Sequence, residues 1–168
     1  MIKTAIFANG CFWCTEAVFS MLKGVSSVVP GYAGLDLPAG RVESIKLEYD
    51  PKVISYEDLL AVYFNTHDPT TVNRQGNDVG TQYRSVIFCV DDEQKILAEK
   101  TVKELNESKA YDKPVVTEVT KLDKLSDFFE AEDYHHEYYK NHEGQPYCQL
   151  VIAPKLEKMQ KRFENLLK

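Results

Sequence analysis

Two cysteines three residues apart, Cys11 and Cys14, follow a short apolar run. A third, Cys148, follows Gly144-Gln145-Pro146-Tyr147. Cys11 falls where a strand hands over to a helix. Backbone N–H groups there are unpaired and the helix dipole is positive, so thiolate is favoured over thiol and Cys11 is the candidate nucleophile. A Cys-x-x-Cys pair fits half of a zinc site, a disulfide-exchanging dithiol, or two core cysteines. Zinc would need His142 and Cys148, or the His135-His136 pair, as its other half. None stands at standard ligand spacing, so zinc ranks last. Cys14 shares the apolar stripe of its helix, which leaves packing and reactivity both open for it. Cys89 lies inside Ser85–Val90 and reads as a small core hydrophobe. A Cys–His pair would be the first arrangement to look for. His67 precedes Asp68-Pro69 in a loop, however, and His135 and His136, being adjacent, point to different sides of a helix. No histidine is assigned a catalytic role.

The elements that position these residues follow from periodicity. Ile2–Ala8 reads as a buried strand broken by Asn9-Gly10. Cys14, Ala17, Val18, Met21 and Leu22 form one helical stripe, ended by Gly24. Val25–Val29 reads as a strand closed by Pro30-Gly31, and Tyr32–Arg41 as a loop. Val42–Tyr49 alternates, and its parity puts Glu43 on the apolar face with Ile45 and Leu47. Ser55 and Asp58 form a capping box that opens a helix through Phe64. Thr66–Tyr83 is a long polar loop, a kind often functional. Ser85–Val90 reads as a strand. Ala98, Val102 and Leu105 mark a helix, Pro114–Val119 a strand, Phe128–Asn141 a further helix, and Leu156 to Leu167 an amphipathic terminal helix. The expected fold class is α+β: a two-layer sandwich with a mostly antiparallel, ferredoxin-like core sheet and an appended C-terminal helix. One domain spans 1–168, with 124–168 as a C-terminal extension carrying Cys148.

Composition agrees. With 168 residues, 43% apolar and 27% charged, the chain is neither disordered nor fibrous. Four cysteines are too sparse for a disulfide scaffold. The net charge of −6 argues against a nucleic-acid partner. No apolar run approaches a membrane span, and the first residues carry no secretory pattern, so a cytoplasmic location is expected.

Gly10-Cys11-Phe12-Trp13 with Glu16, Gly31-Tyr32-Ala33-Gly34, Tyr49-Asp50-Pro51, Ile54-Ser55-Tyr56, Asn65-x-His67-Asp68-Pro69, Arg74–Ser85, Ala131-Glu132-x-Tyr134-His135 and Tyr147-Cys148 occur in order along the chain. The chain resembles the type A peptide methionine sulfoxide reductases over nearly its whole length. It departs from them at Cys14, where many members have glycine. It departs again at Leu35, in place of a second glycine, and in the short Leu35–Arg41 segment.

The resemblance implies reduction of the S epimer of methionine sulfoxide, free or in proteins, to methionine. Cys11 would be the attacking thiolate, and Phe12 and Trp13 would line the substrate-binding pocket. Glu43, Tyr32 and Tyr83 would surround the sulfoxide oxygen, with Asp78 in the same site. A sulfoxide is a poor electrophile until its oxygen is protonated. An acid that keeps its proton at neutral pH is needed, and Glu43 on an apolar face suits that. The tyrosines would donate to the oxygen. Cys11 would become a sulfenic acid and then a disulfide. The expected partner is thioredoxin, with no metal or other cofactor, in a monomer. The resolving candidates are Cys148 and Cys14. Mobility of the Gly144–Pro146 segment favours Cys148 first, with Cys14 as competitor or second relay. The alternative function is a dithiol-disulfide oxidoreductase using Cys11 and Cys14.

Overall fold

The computed structural model describes all residues, 1–168. The elements, in chain order, are β1 (Lys3–Asn9), α1 (Phe12–Ser20), β2 (Val25–Ala33), β3 (Val42–Tyr49) and α2 (Tyr56–Asn65). Two-residue strands β4 (Arg74–Gln75) and β5 (Asp78–Val79) follow, then β6 (Ser85–Cys89), α3 (Asp92–Glu107), β7 (Glu118–Lys121), β8 (Phe129–Glu130), α4 (Tyr138–Asn141) and α5 (Ala153–Arg162). Six strands form one sheet in the order β7-β6-β1-β3-β2-β8, and β4 pairs with β5 in a small hairpin of its own. All pairings in the main sheet are antiparallel except β6 with β7. A parallel pair needs a crossover, and α3 supplies it. The fold is mixed helix and strand around a mostly antiparallel sheet, as expected.

Alternation decides which face each residue serves. Ala5 and Phe7 of β1 and Ile45, Leu47 and Tyr49 of β3 share the main core with Val18, Phe19, Leu59, Leu60 and Tyr63 from α1 and α2. The opposite parity, Ile6, Ala8, Val42, Val86 and Phe88, packs with Ala33, Leu122 and Phe128 in a smaller cluster. The capping box at Ser55 forms as read: its hydroxyl accepts from Asp58 N–H at 3.0 Å, and the Asp58 carboxylate accepts from Ser55 N–H at 3.3 Å.

Three readings are corrected. Pro30-Gly31 does not close a strand, because β2 runs on through Tyr32 and Ala33. A Cβ on Gly31 would lie 2.3 Å from the Phe129 carbonyl oxygen, so the glycine serves close approach of β8 rather than a turn. The strand expected at Pro114–Val119 starts only at Glu118 and runs parallel to β6. Phe128–Asn141 is not one helix: it holds β8, a short 3₁₀ turn at Asp133–His135 and the single turn α4. Glu137, with φ of 51°, breaks the helical path.

Candidate active site

Cys11 stands at the junction of β1 and α1, and two features hold that junction. Gly10 takes φ of +107°, which L side chains rarely adopt, and a Cβ there would lie 2.7 Å from Gln75 Cγ. Beneath it, Tyr63 Oη donates to the Ala8 carbonyl at 2.9 Å and meets Ser85 Oγ at 2.8 Å. Ser85 Oγ in turn lies 2.8 Å from both His67 Nε2 and Thr117 Oγ1. His67 Nδ1–H donates to the Tyr63 carbonyl at 2.6 Å, so Nε2 accepts from Ser85. Burial keeps His67 neutral, with its pKa lowered to about 3.

Cys11 is the N-cap of α1: its carbonyl accepts from Cys14 N–H at 3.1 Å and Thr15 N–H at 3.3 Å. The next N–H, of Phe12, donates to Glu43 Oε1 at 3.2 Å. Strand parity thus brings Glu43 beneath the start of α1. The helix N-terminus spends its first free donor on this carboxyl group rather than on the thiol. Burial nevertheless dominates and raises Glu43 to about 7, with the Phe12 hydrogen bond opposing. This carboxyl therefore keeps its proton in part of the population at neutral pH.

The two thiols behave as a pair. Cys11 and Cys14 are 8% and 4% exposed. A hydrogen bond between them lowers Cys14 to about 7 and raises Cys11, which burial raises further. Ionisation of the two sulfurs is coupled, with Cys14 the more acidic of the two. Tyr147 Oη lies 3.7 Å from Cys14 Sγ and donates to Asp78 Oδ2 at 2.8 Å. Tyr147 carries one proton: it lies toward Asp78 while Cys14 is a thiol, and turned to the Cys14 thiolate it lowers Cys14.

Tyr32 sits opposite Glu43 in the β2–β3 register. Its ring lies 5.5 Å from Phe12, and the Arg41 guanidinium stands 4.4 Å from its centroid. Tyr83 is raised first by burial and then by Glu43, Asp78 and Cys11, which places its hydroxyl in the same electrostatic neighbourhood. A cavity of about 380 Å³ opens here, lined by Tyr32, Arg41, Glu43, Thr81 and Gln82. Arg84, itself buried, closes its rim by donating to Thr81 O at 2.9 Å and Gly40 O at 2.8 Å. The short Leu35–Arg41 segment is thereby tied to the Tyr83 turn.

Trp13 is the centre of an aromatic wall built from the C-terminal segment. Its Nε1–H donates to His135 Nδ1 at 3.0 Å, and Tyr138 stacks on it at 3.7 Å with planes 6° apart. Tyr147 meets its edge at 5.8 Å. His135 also lies 5.0 Å from Phe12. Accepting from Trp13 places the remaining His135 proton on Nε2, which faces Glu132 at 3.6 Å. Glu16, 5% exposed, is raised by burial, and the Glu137 and Tyr138 backbone next to it opposes that rise, which puts Glu16 against the turn that carries Tyr138. Sequence reasoning assigned nothing to His135, Tyr138 or Tyr147. The signal for Tyr147 was its place beside Cys148; Tyr138 had none.

Cys148 is fully buried in a helical turn, Cys148–Ile152, and burial raises its pKa, with Cys14 adding to the rise. It does not lie in an open loop. His142 Nδ1–H donates to Tyr138 O at 2.9 Å within its own turn, and no group of three or more His, Cys, Asp or Glu side chains is arranged to hold a metal.

A family model described as peptide methionine sulfoxide reductase matches residues 3–167. The chain belongs to the peptide methionine sulfoxide reductase family. It is 48% identical to the MsrA of Chromobacterium violaceum, over 99% of this chain and 99% of that one. It is 49% identical to the MsrA of Sulfolobus acidocaldarius, over 98% and 97%. Among solved structures, reduced Mxr1 from Saccharomyces cerevisiae superposes with a TM-score of 0.74 at 28% identity, covering 88% of this chain and 89% of that one. Mxr1 in complex with Trx2 gives 0.59 at 25% identity, covering 82% and 84%. The reductase family match runs through the hairpin β4–β5 and the aromatic wall, which a bare disulfide exchanger has no use for. The alternative reading as a dithiol-disulfide oxidoreductase is not favoured.

Proposed function

We propose that the chain reduces the S epimer of methionine sulfoxide, free or in oxidised proteins, with Cys11 as nucleophile and Glu43 as general acid. The observation that carries this reading is the Glu43 carboxyl group, held by Phe12 N–H beside Cys11 and raised to about 7. Cys11 sulfur attacks the sulfoxide sulfur while Glu43 gives its proton to the oxygen. Tyr32 and Tyr83 donate to that oxygen as charge develops, and Phe12 and Trp13 hold the methyl group. Asp78 orients Tyr147 beside the thiol pair. Net, one oxygen passes from methionine sulfur to Cys11. Methionine leaves, and Cys11 is a sulfenic acid. A second thiol displaces water from it and forms a disulfide.

The geometry supports Cys14 as that second thiol, the reverse of the order favoured by sequence. Cys14 lies three residues from Cys11 at the start of the same helix and the two thiols are electrostatically coupled, whereas Cys148 lies on a separate helical turn. Cys148 then serves as a second relay toward the surface. Thioredoxin reduces the final disulfide by dithiol exchange, a reading supported by the likeness to Mxr1 in its Trx2 complex. No metal or organic cofactor takes part.

The same reading extends to architecture. The strand order β6-β1-β3-β2, with α1 and α2 as connections, supports a ferredoxin-like core in two layers. Residues 124–168 belong to the single domain as an extension that supplies the aromatic wall and Cys148. No helix is long and apolar enough to cross a membrane.

The test is a single turnover of the fully reduced protein with separate S and R epimers of N-acetylmethionine sulfoxide, without external reductant. The expected result is N-acetylmethionine from the S epimer only, with two free thiols lost per product. Turnover of both epimers at equal rates, or product without thiol loss, would overturn the reading.

A further inference from the structure

A second cavity, a groove of about 640 Å³, lies between the His67–Thr71 segment and α5. Four cations line it: Lys113, Lys155, Lys158 and Arg162. None of the four is within ion-pair distance of a carboxylate, although lysines elsewhere on the surface are. Only two carboxylates, Asp68 and Asp112, share the groove. Asp68 is already engaged, accepting from Thr70 Oγ1 at 2.6 Å and Thr70 N–H at 2.9 Å. In a chain of net charge −6, this is a local positive surface whose donors are unused.

The groove adjoins the active site through one side chain. Gln75 exchanges two hydrogen bonds with the Asp68 backbone, at 2.9 and 2.8 Å, and its other side packs on Gly10 beside Cys11. Lys155 acts in the same direction, since its charge reaches Cys14.

The spread of charge selects the ligand. Lys155 and Arg162 are seven residues apart on α5, a rise of about 10 Å. One small anion does not bridge that distance. An extended peptide does: three residues of it also span about 10 Å. We propose that the groove holds an acidic segment of an oxidised protein substrate, whose carboxylates meet Lys155 at one end and Arg162 at the other. The proposal rests on the reductase reading and adds a substrate class to it: methionine sulfoxide flanked by acidic residues in an unfolded or extended stretch.

The experiment compares steady-state KM for N-acetylmethionine sulfoxide and for a series of peptides. Each peptide carries one methionine sulfoxide and two glutamates three residues apart, displaced by one to five positions on either side, with glutamine controls. At low salt, one placement of the glutamates is expected to lower KM relative to its control, with kcat unchanged. Each exposed ion pair contributes a factor of about 1.4 to 5. The Arg162→Gln variant, which removes one of the two pairs, is therefore expected to raise KM for that peptide by a factor of about 1.4 to 5. It is expected to leave N-acetylmethionine sulfoxide kinetics and Tm unchanged. Raising salt to 0.5 M removes the preference.

Equal KM for glutamate and glutamine peptides in every placement would overturn the proposal. So would a preference that survives undiminished in the Arg162→Gln variant. Loss of the preference on adding millimolar inorganic phosphate at matched ionic strength would also overturn it, in favour of a small-anion site. Failure to reduce N-acetylmethionine sulfoxide at all would instead refute the reductase reading, and so the two failures are separable.

Discussion

Glu43→Gln isolates the proton that the reaction needs. The amide keeps the shape, and its oxygen still accepts from Phe12 N–H, where Glu43 Oε1 now does so at 3.2 Å. What it removes is the transferable proton. General acids contribute roughly 10²–10⁴-fold, which corresponds to about 3–5 kcal/mol of barrier. The pH profile sharpens the test. Reaction needs the thiol pair to have lost one proton and Glu43 to have kept its own. Both transitions fall near 7: the pair through Cys14, lowered by the Cys11 hydrogen bond, and Glu43, raised by burial. Each group is in its required state in only part of the population near pH 7, and the two required states coexist only around neutrality. The profile should be bell-shaped, with its maximum near neutrality and a tenfold fall per pH unit on either side.

In Glu43→Gln the alkaline limb should disappear and the acid limb remain, because only the thiol pair still titrates. The assay is rapid-quench single turnover on the reduced enzyme from pH 5 to 9, with methionine measured before any disulfide is reduced. A variant that retains the full rate at pH 7 refutes the assignment. A variant slowed a thousandfold that still loses activity above pH 7 in the wild-type manner refutes the pKa argument, even if Glu43 is essential.

Other outcomes test the rest of the site. After one turnover without reductant, Cys14→Ser should accumulate a Cys11 sulfenic acid trappable by a 1,3-dione, while Cys148→Ser should form the Cys11–Cys14 disulfide at the wild-type rate. Persistent sulfenic acid in Cys148→Ser instead would restore the order favoured by sequence. Tyr147→Phe removes the hydroxyl between Asp78 and Cys14, and thiolate absorbance at 240 nm should titrate at higher pH; an unmoved titration would exclude that role. His67 is depressed to about 3 by burial, below its unfolded value of 6.5. Its stabilising contribution is therefore complete above 6.5 and is lost as pH falls toward 3, by roughly 1–2 kcal/mol at pH 5. His67→Gln, which retains a donor and an acceptor, should show a smaller drop in Tm between pH 7.5 and 5 than the wild type, and equal drops would count against a buried neutral imidazole.

The parts of this molecule that were legible in sequence are those whose structure is decided within one element. The alternation of Val42–Tyr49 is a property of eight residues, and it placed Glu43 on the core face without knowledge of what lay above it. The capping box at Ser55 is closed by residues three apart. Cys11 was legible because a glycine and a cysteine at a strand–helix junction constrain backbone and donor geometry locally. Pro30-Gly31 was misread for the complementary reason. As a dipeptide it signals a turn. Its true role is set by the Phe129 carbonyl, a hundred residues away in sequence, which needs the space a Cβ would fill.

The same logic explains the aromatic wall. Phe128–Asn141 has the composition of a helix, but its aromatic side chains are held by Trp13, Phe12 and Glu16 and not by their own helical neighbours. Each contact gives up helix continuity for a long-range partner, and Glu137 in the left-handed region is where the path bends. The thiol pair follows from this arrangement. Cys14 sits on an apolar stripe, which read as a reason for inertness. Burial does raise it, but the Cys11 hydrogen bond, the Lys155 charge and the Tyr147 hydroxyl lower it by more. Two of those three come from the C-terminal segment. The segment thus does more than carry Cys148: by covering α1 it supplies the groups that set the charge of the first thiol pair, which ties formation of the reactive site to docking of the last forty-five residues.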